Sequence, residues 1–318
     1  MFGLTFLQAT SKTTTHRRPT FRIGGGAVAG YAAGGFDGAN ISSIDKITFS
    51  GDTKSTLAAT LTSGRYYVTG FANSGVAGYV AGGFTTAVQS NIDKITFPAD
   101  TKSTLAATLT SARRSGAGFA NSGTAGYHAG GFDTANVSGI DKITFSTDAK
   151  STLAATLTTA RFYLAGFANS GTAGYAAGGY DSANISGIDK ITFSTDSKST
   201  LAATLTSARF SSAGFANSGT AGYVAGGYST ALQSNIDKIT FPADTKTTLA
   251  ATLTAAVQDP AAFANSGTAG YVAGGNGATG NKSGIDKFAF PGDTKTTLAA
   301  TLTSARYAMA GFADSGTL

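Results

Sequence analysis

Gly30-Tyr31-Ala32-Ala33-Gly34-Gly35 is the stretch whose reading decides the fold. Its tyrosine returns at Tyr79, Tyr127, Tyr175, Tyr223 and Tyr271, at an interval of 48 residues each time. A period of about 40–50 residues marks a propeller blade or another solenoid unit, which buries its apolar face only by stacking on its neighbours. Six copies override the two-domain expectation that 318 residues would otherwise carry. A single closed body is expected.

Each copy divides into four strand-like pieces, seen most clearly around Tyr127. Ser115 to Ala120 is followed by Asn121-Ser122-Gly123, a turn whose residues tolerate positive φ. Ala125 to Ala129 is stopped by Gly130-Gly131, and Ile140 to Phe145 carries Ile and Phe at spacings that a strand can use on both faces. A polar turn, Ser146 to Lys150, leads to Ser151 to Leu157, where the flanking threonines and the short run favour a fourth strand over a helix. Four short strands per 48 residues is the content of one propeller blade.

Composition agrees with small, closely packed strands. The 42% hydrophobic fraction is largely alanine, with 43 glycines, no tryptophan and only 13% charged residues. Long amphipathic helices need Leu, Glu and Lys, and this chain has no Glu at all. Without cysteine there are no disulfides or thiolate metal sites. Met1 to Leu7 lacks a basic leader, and no apolar run is long enough to span a bilayer, so neither a secretory signal nor membrane insertion is expected.

The net charge of +6 is unevenly placed. Lys12, Arg17, Arg18 and Arg22 carry +4 before the first repeat, leaving a nearly neutral body. Nucleic-acid binders concentrate charge on the folded surface, so no nucleic acid is expected as a partner. Residues 1–23 read as an extended arm, either a tail or an attachment arm that orders against a partner, with Lys12, Arg17, Arg18 and Arg22 as its contacts.

A double glycine ends the second strand, an aromatic closes the third (Phe97, Phe145), and an arginine follows the fourth at Arg65, Arg113, Arg161, Arg209 and Arg306. Together these resemble the kelch repeat over residues 24–318. The kelch tryptophan is replaced by Leu57, Leu105, Leu153, Leu201, Leu249 and Leu298, and Val257 stands in the arginine position of the fifth unit. The resemblance implies an all-β, six-bladed kelch-like β-propeller of four-stranded antiparallel blades with a short N-terminal arm. The terminal segment from Arg306 to Ala313 is expected to complete the first blade; Arg17 to Ile23 is the alternative. Units one and four, and two and five, share further detail, which suggests duplication of a three-blade block.

The copies differ after the double glycine and after the fourth strand. Because antiparallel strands alternate in direction, both variable loops emerge at one end and the near-constant turns at the other. The variable end carries Phe36, Asp37, Tyr66, Tyr67, Phe84, Arg114, Phe132, Asp133, Phe162, Tyr163, Tyr180, Asp181, Phe210, Tyr228 and Tyr307. Aromatics give contact area at small entropic cost, which suits a ligand-binding face; unconstrained drift is the alternative.

Catalytic chemistry has little to build on. The histidines are His16 and His128, so a copper-radical site of the galactose oxidase kind lacks its Cys and clustered His. Asp45, Asp93, Asp141, Asp189, Asp237 and Asp286 each precede a Lys on the third strand, where neighbours face opposite ways. Repetition points to structural pairs between strands or blades. The turn Ser194 to Leu201 resembles the sialidase Asp-box, a structural element, but without Glu there is no sialidase machinery.

No cofactor or metal is expected, and the chain is not expected to be an enzyme. The near-identical Gly/Ala/Ser/Thr-rich repeats resemble kelch-like proteins of tailed bacteriophages. This implies an extracellular virion protein, a tail-fibre or tail-tip adhesin. Its arm would dock other virion proteins and its variable face would bind a host surface receptor, a glycan. A purely structural virion subunit (nozzle, baseplate or decoration protein) and a cellular kelch-type protein-interaction scaffold are the alternatives.

Overall fold

A computed structural model describes residues 28–315, so Lys12, Arg17, Arg18, Arg22 and the proposed arm lie outside the described residues. Each second strand, such as Ala125–Ala129, is buried along its whole length and lies between a first strand and a third. The alanines and glycine of Ala-Gly-Tyr-His-Ala let neighbouring sheets approach closely, and Tyr127 and His128 fill the remaining space as buried side chains.

The first sheet contains Ala310–Ala313, Ala29–Ala33, Ile44–Thr48 and Thr53–Thr56. The second runs Thr69–Asn73, Ala77–Ala81, Ile92–Thr96, Thr101–Thr104, and the third Ala117–Asn121, Ala125–Ala129, Ile140–Thr144, Ala149–Thr152. The fourth is Ala165–Asn169, Ala173–Ala177, Ile188–Thr192, Ser197–Thr200, and the fifth Ala213–Asn217, Ala221–Ala225, Ile236–Thr240, Thr245–Thr248. The sixth is Ala261–Asn265, Ala269–Ala273, Ile285–Ala289, Thr294–Thr297. All pairings are antiparallel, and Ala310–Ala313 pairs with Ala29–Ala33 through Tyr31 opposite Phe312.

The described residues form seven sheets, not the six expected: the additional one is a three-stranded piece, Val257–Gln258, Asn276–Gly277 and Gly280–Asn281. The sixth repeat has one extra residue between its second and third strands, and its glycines allow a two-residue ladder where the other repeats make single bridges.

The fourth strand also differs from expectation. It starts directly after an aspartate in the left-handed region (Asp148, φ 53°) and ends at Thr152, before the Leu-Ala run. Leu153 to Leu157 instead crosses to the next sheet, with Leu157 buried and the following Thr158 bonded to Asp189 of that sheet. A threonine-flanked Leu-Ala run satisfies a crossover as well as it satisfies a strand.

Contacts between innermost strands run in a closed circuit, from Thr69–Asn73 through Ala117–Asn121, Ala165–Asn169, Ala213–Asn217 and Ala261–Asn265 to Ala310–Ala313 and back. The arrangement is propeller-like. Glycine sets the closeness of approach: a Cβ on Gly118 would lie 2.0 Å from the Gly70 carbonyl oxygen.

The repeated tyrosine holds adjacent sheets together. Tyr31 stacks on Phe312 of its own sheet and on Phe97 of the next, both at 5.1 Å between centroids. Its hydroxyl donates to Asp100 at 2.8 Å, and Lys46 reaches the same carboxylate at 2.6 Å. The set repeats at every junction and ends with Tyr271 and Lys287 on Asp52. Burial, then the Asp100 carboxylate, pushes the Tyr31 hydroxyl far above its ordinary pKa.

Candidate functional site

At the end of the body carrying both variable loops, residues from the two loops meet as short antiparallel bridges. Tyr66 pairs with Phe84, Arg114 with Phe132, Phe162 with Tyr180, Phe210 with Tyr228, and Tyr307 with Phe36. The double glycine makes this possible. Gly131 has φ 109°, and a Cβ there would lie 2.7 Å from the Arg114 carbonyl oxygen.

The side chains of these bridges are half-buried and follow one another in a belt. Tyr307 meets Phe36 at 5.9 Å, Phe36 meets Tyr66 at 5.2 Å, and Tyr66 meets Phe84 edge-on at 5.6 Å. The Arg114 guanidinium joins the two arcs, 5.6 Å from Phe84 and 5.4 Å from Phe132. From there the belt passes through Phe162, Tyr180 and Phe210 to Tyr228 at centroid distances of 5.3 to 5.8 Å. Gln258 opposite Asn276 occupies the sixth position, so the aromatic belt is a horseshoe with one amide gap.

Inside the belt lies a ring made by the backbone. Tyr67, Ser115, Tyr163, Ser211, Asp259 and Ala308 all have φ between 53° and 60°. Each donates its N–H to the carbonyl of the preceding member, from Ser115 to Tyr67 at 2.9 Å through Asp259 to Ser211 at 2.7 Å, and Tyr67 closes the circle on Ala308 at 2.8 Å. Tyr67 and Tyr163 meet edge-on at 5.1 Å above this ring, and Arg114 lies 5.2 Å from Tyr67. Beneath it is an axial cavity of about 80 Å³ lined by Gly70, Gly118, Gly166, Gly214, Ala262 and Gly311. Asp259 is the ring's acid: burial pushes its carboxyl up to about 7, partly offset by Ser211 and Arg114.

The variable-loop aspartates shape loops. Asp37 accepts from the Ala39 N–H at 3.3 Å, Asp133 from the Ala135 N–H at 2.9 Å, and Asp181 from Asn136 Nδ2 at 3.0 Å. The Ala135 N–H, joined by Thr134, holds the Asp133 carboxyl below the usual range.

Arg65, Arg113, Arg161, Arg209 and Arg306, in contrast, are withdrawn from this face. They are buried against Asp93, Asp141, Asp189, Asp237 and Asp45 at 2.9 to 3.2 Å. Burial tends to raise the Asp93 carboxyl, but Thr62, Thr104 and Arg65 outweigh it and hold the group below its ordinary value. These five third-strand aspartates thus pair between sheets. His128 is a core residue: Arg113 Nε approaches its Nδ1 at 3.3 Å, and burial followed by the Arg113 charge lowers it to about 3, keeping it neutral.

The axial set Ser115, Ser211, Asp259 and Ala308, and the Gln258–Asn276 gap, were not singled out from sequence as site residues. The departure of the fifth unit at Val257 was the available signal. No family model matches the chain, and no curated protein matches it.

Proposed function

We propose that this chain is a non-enzymatic recognition protein, a six-bladed kelch-like β-propeller that binds a glycan through its aromatic face. The belt from Tyr307 to Tyr228 carries this reading. Half-buried rings are fixed by backbone bridges on a closed support, yet keep part of their surface open. Planar aromatic surface suits the apolar face of a sugar ring, and the Gln258, Asn276 and Asn281 amides at the gap suit its hydroxyls. Rigid pre-positioning limits the entropy lost on binding.

The setting we propose is a bacteriophage virion, as a tail-fibre or tail-tip adhesin facing a host surface receptor. This part rests on the resemblance of the Glu-free, Gly/Ala/Ser/Thr-rich repeats to those of tailed phages. Against an enzyme, five of the six third-strand aspartates are paired with buried arginines and the turn aspartates with the lysine and tyrosine of the adjacent sheet. The opposite end is also self-engaged: Ser74 N–H donates to Ser122 Oγ at 3.0 Å, and Gly123 N–H to Asn73 Oδ1 at 2.9 Å.

Binding of the full-length protein to host cells and purified surface polysaccharides tests the proposal. Tyr66→Ala and Phe162→Ala should each weaken binding about tenfold, the order expected for one aromatic contact. Ser122→Ala at the other end should not. Equal binding by all three variants would remove the aromatic face from consideration.

A further inference from the structure

The sixth sheet breaks a pairing that the other five keep. Elsewhere each buried third-strand aspartate receives an arginine on Oδ2, and the same guanidinium donates to a second-strand carbonyl, as Arg209 does to Val224 at 3.0 Å. Opposite Asp286 the corresponding residue is Val257, and among the described residues no arginine pairs with this carboxylate.

The space left is a cavity of about 300 Å³ lined by Leu253, Thr254, Val257, Val272, Lys282 and Asp286, among others. Asp286 is only 7% exposed. Its Oδ1 accepts from Thr254 Oγ1 at 2.6 Å and Thr297 Oγ1 at 2.8 Å, with Lys295 Nζ at 3.6 Å. Among the described residues its Oδ2 accepts only the Thr254 N–H, at 2.7 Å. The same repeat carries Lys282 where the others have Ile41, Gln89, Val137, Ile185 and Gln233. The Lys282 ammonium bonds to exposed Thr279 at 2.6 Å, which places it at the rim.

We propose that this cavity binds a free guanidino acid of the arginine type. Its guanidinium would donate to Asp286 Oδ2 and to the Val272 carbonyl, the counterparts of the two acceptors that each internal arginine uses. Its methylenes would lie against Leu253, Val257 and Val272, and its carboxylate would meet Lys282. A guanidinium is favoured over an ammonium because its planar fork spans two fixed acceptors. The volume is at the small end of ligand sites, suited to a single amino acid. The cavity borders the amide gap of the belt through Asn281, but the ligand contacts assigned here use none of the belt's rings or gap amides and do not depend on the belt's function.

Calorimetric titration of the full-length protein with L-arginine, agmatine and n-butylamine tests the assignment. L-Arginine should bind saturably with one site. Agmatine, without the carboxylate, should bind about tenfold more weakly, and n-butylamine more weakly still. Lys282→Met should erase the preference for arginine over agmatine. Val257→Arg restores the internal arginine and should abolish binding while raising the melting temperature; Asp286→Asn should abolish binding independently. Absence of saturable arginine binding to the parent protein, or binding undiminished in a folded Val257→Arg or Asp286→Asn variant, would overturn the proposal.

Discussion

The Tyr271 hydroxyl donates to Asp52 at 3.0 Å across 219 positions of chain, making at the seam between the last and first sheets the bond that Tyr79 makes to Asp148 within the body. The seam is therefore chemically equivalent to an internal junction. Asp52→Asn and Asp148→Asn should lose similar stability, about 1–2 kcal/mol each, because a charge-assisted bond and a partly exposed lysine pair are weakened in both. Urea unfolding measures this. An Asp52→Asn variant as stable as the parent would mean that the seam is not formed in solution.

Arg209 and Asp237 make a harsher test, since both are wholly buried. Arg209→Met would leave Asp237 with Thr206, Thr248 and the more distant Lys246 at 3.9 Å, but without its buried countercharge. A loss of about 3–5 kcal/mol is expected, and Arg209→Met combined with Asp237→Leu should recover much of it, because an apolar pair of similar volume avoids the desolvation of both charges. A single variant that unfolds at the same urea concentration as the parent would contradict this account.

Much of the architecture was legible because it is repeated six times. The Tyr31 series marked the second strands, and the Asp45 series was read as structural pairing between strands or blades, which the Arg306 and Thr303 contacts to Asp45 show. The arginines were legible as a series but not as buried groups. Arg113 and Asp141 are 28 residues apart, and only the crossover brings them to 2.9 Å. The fourth strand was misplaced because Leu153 to Leu157 satisfies strand patterning while its leucines pack a junction. The axial ring was illegible for a different reason. Its bonds are made by backbone at positions as unlike as Tyr67, Ser115 and Asp259, so side-chain identity carries no trace of it.

Gly131 tests how the loops of the candidate face are held. At φ 109° a side chain is strained whatever the space, and a Cβ there would also press on the Arg114 carbonyl. Gly131→Ala should cost about 1–3 kcal/mol and loosen the Arg114–Phe132 bridge. Amide hydrogen exchange should then rise at Phe132 and Arg114, whose N–H groups bond to one another's carbonyls, but not in the strands Ala125–Ala129 and Ile140–Thr144. Uniformly faster exchange would instead indicate global unfolding without a local role for the bridge.

Asp259 makes stability depend on pH in the direction opposite to the third-strand aspartates. Its carboxyl is raised to about 7 in the folded state, against about 3.9 for an unfolded aspartate. The folded protein therefore holds this proton more tightly, and the stability it contributes is lost as pH rises from about 4 to about 7. Asp93 and Asp141, held below their ordinary values, contribute stability above about 3.9 that is lost only as pH falls further. Comparing the parent with Asp259→Asn cancels those common contributions. The variant should gain on the parent by on the order of 1–2 kcal/mol between pH 5 and pH 8, less than the full shift implies because the residue is half-buried. Urea unfolding of both proteins at the two pH values measures the difference, and a difference independent of pH would show that Asp259 does not titrate in this range.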